Sequence, residues 1–311
     1  MSIQMRHYRD ASDYWRARAF FRELHKLDDR PGGNWHVAHF DYWRWHWLEN
    51  VVERCPDELC LWETDEGRIA AILNQGDPGV CHIQLHPEFR TARLLDEMAA
   101  TAEREYVATY DGRRVIWIWT MKDEDDLHEV LAARGFSEQP EGGHSVETHG
   151  RRSLVGPIPP VPLREGFTIR SMGDLDELPK RSLASWRSFH PDESDFGCDK
   201  TGSWYRNVQR APLYRRDLDL VAVAPNGDIA SFSLCFFDDV SQTGVFVLDG
   251  TARQYQRLGL CKAAMTEALR RLQWLGAETA YVAWYEAPAG ALYESVGFLE
   301  QRIGRVWVKW V

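Results

Sequence analysis

Apolar positions recur along this chain with two periods, and the two periods take turns. Between Gly166 and Met172, Phe167, Ile169 and Ser171 alternate with their neighbours as in a half-buried strand. Asp174–Phe189 follows at helical spacing, with Asp174 available as a cap near its start, and Thr201–Arg210 predicts a shorter helix. Leu218–Val223 is an apolar run bounded by Pro225-Asn226-Gly227-Asp228, a hairpin-type turn that leads into a strand over Ile229–Phe237. Gly244–Thr251 predicts another strand. Gly259–Leu275 is a long amphipathic helix whose Ala263, Ala264, Leu269 and Leu272 mark one apolar side, and Gly276 closes it. A strand over Ala280–Tyr285, a helix over Ala287–Ser295 and a strand over Ile303–Val311 complete the order β-α-α-β-β-β-α-β-α-β.

The residues before this run repeat the order more loosely. Ile3–Tyr8 is strand-like, and helical stretches follow near 12–26 and 39–52. Leu59–Trp62 and Ile69–Leu73 flank the turn Thr64-Asp65-Glu66-Gly67. Val80–Leu85 leads through His86-Pro87 into a helix over Ala92–Tyr106. A strand over Val115–Thr120 and a helix over Glu124–Arg134, ending at Gly135-Phe136, complete it. This is the pattern of an internal duplication of one α/β unit. Between the copies, Gly156-Pro157-Ile158-Pro159-Pro160-Val161-Pro162 resists both helix and sheet and stiffens toward an extended spacer. The expected organisation is a first domain over 1–155, a linker over 156–163 and a second domain over 164–311. The expected fold class is α/β (α+β), each copy a mixed, largely antiparallel sheet flanked by helices.

Composition narrows the function classes. Across 311 residues, 44% hydrophobic and 27% charged residues give an ordinary globular balance, enough for each half to bury a core. A net charge of −10 argues against broad nucleic-acid binding. No apolar run reaches the ~18 residues of a membrane span, and the start lacks an apolar signal core. The cysteines at 55, 60, 81, 198, 235 and 261 form no CxxC pair. These features point to a reduced, cytoplasmic protein. Among the 14 tryptophans, Trp43, Trp45 and Trp47 alternate with polar residues as cleft-lining or core residues would.

The chemistry concentrates where a strand ending at Thr251 turns into the long helix. A helix N-terminus presents unpaired backbone N–H groups and partial positive charge, which suits a pyrophosphate. Gly259, without a Cβ, allows close approach, and Gln256 and Arg257 can add donors at the rim. The segment Gln256-Arg257-Leu258-Gly259-Leu260-Cys261 resembles the acyl-CoA motif Gln/Arg-x-x-Gly-x-Gly/Ala of the GNAT superfamily of N-acyltransferases, with Cys261 at the usual small residue. Gly250-Thr251-Ala252-Arg253 resembles a Gly-Thr-His-Pro segment that precedes that motif in some members. Leu292-Tyr293-Glu294-Ser295-Val296-Gly297-Phe298 matches its later Leu-Tyr-Glu-x-x-Gly-Phe run, while Glu286 replaces an Asn often found seven residues before the Tyr. The resemblance covers about residues 165–311. It implies that acetyl-CoA is a co-substrate. Backbone groups of Thr251 and Ala252 would bind the pantetheine arm. Those of Leu258, Gly259, Leu260, Cys261 and Lys262 would hold the pyrophosphate. Tyr293 would protonate the departing thiolate, a role suited to a phenol near its ordinary pKa of ~10.

A primary amine must also lose a proton. Asp249, on the same strand face as Thr251, and Glu286 are the two candidates, since the upstream positions that often carry the family's base hold Phe246 and Val247. The first copy lacks this equipment: Arg93 aligns with Gly259 and Leu131 with Tyr293, so it is expected to bind no acyl-CoA and instead to buttress the active half or wall its acceptor cleft. His82 and His86 lie on a strand that ends at a proline, and His36, His39 and His46 show no ligand spacing, so no metal is expected. The acidic stretches at 190–195 and Asp238-Asp239 could face a cationic amine or plain solvent. Cys261, at a helix start, serves through its backbone rather than as a nucleophile. The leading expectation is an N-acetyltransferase acting on a small-molecule amine. The alternatives are acetylation of a protein or peptide amine, a non-catalytic acyl-CoA sensor, and an interaction protein without activity. Oligomeric state is left open.

Overall fold

The computed structural model describes residues 2–52, 59–142 and 144–311. Cys55 lies outside them. The first half runs β1 (Ile3–His7), α1 (Ala11–Leu27), α2 (Val37–Tyr42), β2 (Cys60–Thr64), β3 (Ile69–Gln75), β4 (Val80–Leu85), α3 (Ala92–Glu105), β5 (Ala108–Tyr110), β6 (Arg113–Met121), α4 (Asp125–Ala133), β7 (Ser137–Glu138) and β8 (Val146–Ser153). The second runs β9 (Thr168–Ser171), α5 (Leu178–Phe189), α6 (Ser203–Val208), β10 (Asp219–Val223), β11 (Ile229–Asp238), β12 (Thr243–Thr251), α7 (Leu260–Trp274), β13 (Thr279–Trp284), α8 (Ala287–Ser295) and β14 (Glu300–Trp310). None of the described helices is long and apolar enough to cross a membrane.

The predicted elements form close to their expected limits, because turn chemistry and apolar period agree there. Asp10 caps α1 by accepting the Ser12 N–H at 2.8 Å, and Gly276 ends α7 at φ +89°. Asp174 differs: its carboxylate caps nothing and instead takes Arg216 at 2.6 Å. The stretch expected as one helix over 39–52 is α2 followed by a π-helical segment, Trp43–Val51. The wider turn accommodates three indoles. Trp43 donates to the Gln75 carbonyl at 2.8 Å, Trp45 donates to the Tyr14 hydroxyl at 3.0 Å, and Trp47 is left facing inward.

One mixed, largely antiparallel sheet runs through both halves in the order β1-β2-β3-β4-β6-β14-β8-β13-β12-β11-β10-β9, flanked by helices on both faces. Each half donates its last strand to the other. β14 pairs with β6 of the first half from Gly304↔Met121 to Trp310↔Val115, and β8 pairs with β13 of the second from Thr279↔Ser153 to Trp284↔Thr148. The two exchanged strands also pair with one another, antiparallel. β8 carries no apolar alternation, since Glu147, His149 and Arg151 fall on one face and Thr148, Gly150 and Arg152 on the other. Ladder bonds on both sides make it a strand. The halves also meet through Arg22 and Asp238 (2.5 Å), His36 and Thr243 (2.8 Å), and the Tyr281 hydroxyl donating to the Asp29 carbonyl (2.8 Å). Tyr14, Phe21 and Phe40 of the first half share one buried cluster with Phe232, Phe236 and Val245 of the second.

Because each half's sheet is closed by a strand from the other, the halves are expected to unfold together. Urea titration followed by far-UV circular dichroism and tryptophan fluorescence should give coincident single transitions. Two separated transitions would show that the exchanged strands do not couple the halves.

Candidate active site

The site begins with a defect in pairing. β12 runs parallel to β13 over only Thr243↔Thr279, Gly244↔Ala280 and Val245↔Tyr281, and then the strands part. On its other side β12 carries a bulge, where the register with β11 shifts between Leu234 and Cys235. Val247 and Leu248 then both pack toward the first half. A bulge bends its strand and increases its twist, so β12 is steered away from β13 and a wedge opens between their backbones.

The face carrying α7 and α8 holds a compact polar group. Asp249 accepts the Ser233 hydroxyl at 2.6 Å, and the Tyr293 hydroxyl donates to Asp249 at 3.5 Å. Ser231 donates to the Gly250 carbonyl at 2.7 Å and lies 2.9 Å from the Thr251 hydroxyl. Burial pushes the Asp249 carboxyl up to about 7, against the lowering effect of the Ser233 and Tyr293 hydrogen bonds. Burial first, and then the Asp249 charge, push the Tyr293 phenol well above its ordinary value. Its ring is held between Trp284 and Phe298, at centroid distances of 5.4 and 6.3 Å. Burial also raises the Cys261 thiol, which keeps it protonated.

From Ala252 the chain makes a 3-10 turn over Arg253–Tyr255 and then two left-handed residues, Arg257 at φ +63° and Gly259 at φ +73°. Left-handed geometry at a non-glycine residue such as Arg257 is uncommon. Alternating backbone signs turn successive N–H groups into one concavity. Helix α7 starts at Leu260 with no side-chain cap, and the Ala263 N–H closes on the Gly259 carbonyl at 3.0 Å. The N–H groups of Leu260, Cys261 and Lys262 are those a helix start leaves free of intrahelical partners. A Cβ on Gly259 would meet nothing within 4 Å. The glycine is therefore required by its φ, and the space above it is open.

The first half shows the same frame closed. β4 and β6 also part after three parallel pairs, Val80↔Trp117 to His82↔Trp119, and α3 follows. There the Thr91 hydroxyl accepts the Leu94 N–H at 3.2 Å, so a side chain occupies the helix start. Leu131, which aligns with Tyr293 in sequence, is fully buried.

The opposite face of the wedge is roofed by the first half. A cavity of about 360 Å³ lies over Val247 of β12 and Ala283 of β13. Glu147 and His149 of β8 line it, 2.9 Å apart, with His39, His82 and Tyr285. A second cavity of about 910 Å³ lies beside it against α5 and α6, and Tyr42 and Trp47 line both.

The structure thus joins some predicted residues and separates others. Asp249, Thr251, Cys261 and Tyr293 lie on one face of the wedge. Glu286 stands at the N-cap of α8 with its side chain in solvent. In the acidic stretch at 190–195, Asp192 pairs with Arg253 and Asp195 with Arg187 (2.6 Å), both at the surface. Asp238 is buried against Arg22, while Asp239 is 80% exposed. Sequence reasoning misses Glu147 and His149. Their only signal is a carboxylate and an imidazole two residues apart in an unassigned polar stretch.

Neither a protein-family model nor a curated protein matches the chain. Solved structures do. The chain resembles a GCN5-related N-acetyltransferase from Sphaerobacter thermophilus (TM-score 0.64, 15% identity, 99% of this chain and 95% of that one). It resembles a tandem GNAT protein from the clavulanic acid biosynthesis pathway (TM-score 0.65, 12% identity, 99% and 98%). It also resembles an acetyltransferase of the GNAT family from Colwellia psychrerythraea (TM-score 0.56, 11% identity, 98% and 100%). At these identities the likeness establishes the fold: this chain has the tandem GNAT architecture.

Two measurements check the local physics. Gly259→Ala should destabilise the protein by about 1–2 kcal/mol in urea titration, from left-handed backbone strain alone. A neutral effect would mean that the turn rearranges. Asp249 has a folded pKa raised above its unfolded value, so its contribution is complete below pH ~4 and is lost as pH rises through about 7. The stability of wild type relative to Asp249→Asn should therefore fall across that window. A difference independent of pH would place the carboxylate in an ordinary, solvated setting.

Proposed function

We propose that this chain is an N-acetyltransferase that moves an acetyl group from acetyl-CoA directly to a primary amine of a small molecule, at one site in the second half. The observation that carries this reading is the asymmetry between two equivalent frames. One helix start is uncapped and preceded by two left-handed residues, and the other is filled by Thr91. The free N–H groups and dipole of α7 suit a pyrophosphate, with Gln256 and Arg257 exposed at the rim. The edge of β12 that β13 leaves unpaired, from Leu248 to Thr251, supplies backbone groups for a pantetheine arm lying in the wedge.

Acetyl-CoA brings an activated thioester, and the residues do the rest. The backbone of Thr251 orients the thioester, whereas the Ala252 N–H expected to share that role is already donated to the Ala230 carbonyl at 3.0 Å. The Tyr293 phenol, with its pKa raised, keeps its proton at neutral pH and yields it when the departing thiolate appears beside it. Asp249, with a pKa of about 7, sits behind the phenol as a proton source that restores it. This puts Asp249 on the leaving-group side. Glu286, in solvent at the start of α8, is the candidate the geometry supports less. The roof over the other face favours a small amine over a protein segment.

Isothermal titration should show one acetyl-CoA per chain, with binding abolished in Gly259→Glu and unchanged in Arg93→Gly. Failure of the wild type to bind, or binding unaffected by Gly259→Glu, would remove the cofactor assignment. Tyr293→Phe should lower kcat by ~10²-fold with little change in acetyl-CoA affinity. Equal turnover would take the phenol out of the mechanism. Tight binding without transfer to any amine would indicate a sensor.

A further inference from the structure

A proton donor on the α7–α8 face leaves open where the amine sheds its own proton. The cavity on the opposite face has the composition to receive an ammonium group. None of its lining residues is lysine or arginine. Its one strongly anchored carboxylate is Glu147. Burial pushes that group up, but His149, the Tyr285 hydroxyl and His39 together outweigh burial and hold it below the usual carboxylate range. The other groups facing Glu147 add no fixed positive charge. Burial lowers His39 of α2 and His82 of β4 to about 4, and burial raises both Asp77, after β3, and Tyr285, after β13. The cavity thus holds a carboxylate paired with one histidine and lined by no lysine or arginine. Among the described residues, no three His, Cys, Asp or Glu side chains converge as metal ligands would.

The walls set the rest of the ligand. Trp35, Trp43, Trp47 and Trp119, with Tyr42 and Tyr285, surround the space. Aromatic faces attract a cation and pack against a flat apolar body. The indole N–H of Trp47, at the junction with the larger cavity, is buried and has no partner among the described residues. It is a donor left for a ligand.

Resting on the acetyl transfer proposed above, we infer that this cavity is the acceptor site, that it takes a primary ammonium group carried on an aromatic or similarly flat apolar body, and that Glu147, backed by His149, removes the ammonium proton. The site lies across the wedge from Tyr293, so nucleophile and leaving group occupy opposite faces. One proton passes from the ammonium to Glu147 and on through His149 to solvent. The freed nitrogen lone pair forms the N–C bond to the acetyl carbon, and the C–S bond breaks. The second proton shed by nitrogen balances the one that Tyr293 gives the thiolate. Burial of the ammonium helps, since desolvation lowers its own pKa.

The test uses tryptamine as the amine probe and 3-indoleethanol as its neutral counterpart, with acetyl-CoA affinity measured in parallel. Wild type should bind tryptamine at least ~10-fold more tightly than the alcohol, and Glu147→Gln should lose that preference. Glu147→Gln should bind acetyl-CoA as wild type does. It should acetylate tryptamine ~10²–10⁴-fold more slowly near neutral pH, and its rate should rise about tenfold per pH unit as solvent deprotonates the amine. Equal binding of amine and alcohol by wild type overturns the ammonium site. A Glu147→Gln rate and pH profile matching wild type overturns the proton role. Wild type that binds acetyl-CoA but neither binds nor acetylates tryptamine overturns the acceptor class. If instead wild type fails to bind acetyl-CoA, the transfer reading falls, and the amine-against-alcohol comparison still decides the cavity by itself.

Discussion

The backbone pairing of β8 with β13 is the interaction on which the rest of the structure depends. β13 has two edges. One is held by β12 for three residues and then released, and the other is held by β8 along its length. Without the second, a strand leaving its neighbour would expose two rows of unpaired amides and carbonyls. With it, the wedge between β12 and β13 can open while β13 remains anchored. The same pairing sets the register that puts His149 beside Ala283 and brings Glu147 into the same cavity as Tyr285. Structural support and site chemistry therefore come from one segment.

The exchange also explains why the first half persists without the equipment of the second. Its helix start is closed by Thr91, and its tyrosine position is the buried Leu131. What it supplies is surface: α2 and the π-helical segment roof the wedge, and β8 crosses into the second half's sheet. The proposed division of labour follows from this. One half offers a polar turn for an anion and a phenol behind it. The other offers aromatic walls and a carboxylate that its histidine partner keeps charged against the effect of burial.

Electrostatics separates the two faces. On the α7–α8 face, burial outweighs the hydrogen bonds made to Asp249 and drives Asp249 and Tyr293 toward their protonated forms. On the cavity face, burial meets hydrogen-bonding and charged partners, and Glu147 stays ionised. Two acidic side chains, both largely shielded from water, are thus pushed apart by their neighbours. That separation suits one face to giving protons and the other to taking them.

Much of this was readable along the chain. Apolar period and turn chemistry place nearly every strand and helix, because those elements owe their faces to local pattern. The turn at 256–261 is legible for the same reason: a glycine at a left-handed position before an uncapped helix is a local requirement. Tyr293 and Asp249 could be named, but their 3.5 Å contact and raised pKa values could not, since both depend on strands and helices far apart in sequence. β8 was not legible at all. Its residues are polar on both faces and become a strand only when two neighbours, more than a hundred residues away in the chain, supply the ladder. The sequence alone therefore determined the duplicated architecture and the left-handed turn before α7, which are written in local spacing. Tertiary structure alone decided that the strands of the two halves interchange, that a roofed aromatic cavity faces the wedge, and that Glu147 and His149 stand in it, because long-range backbone pairing leaves no period in the sequence.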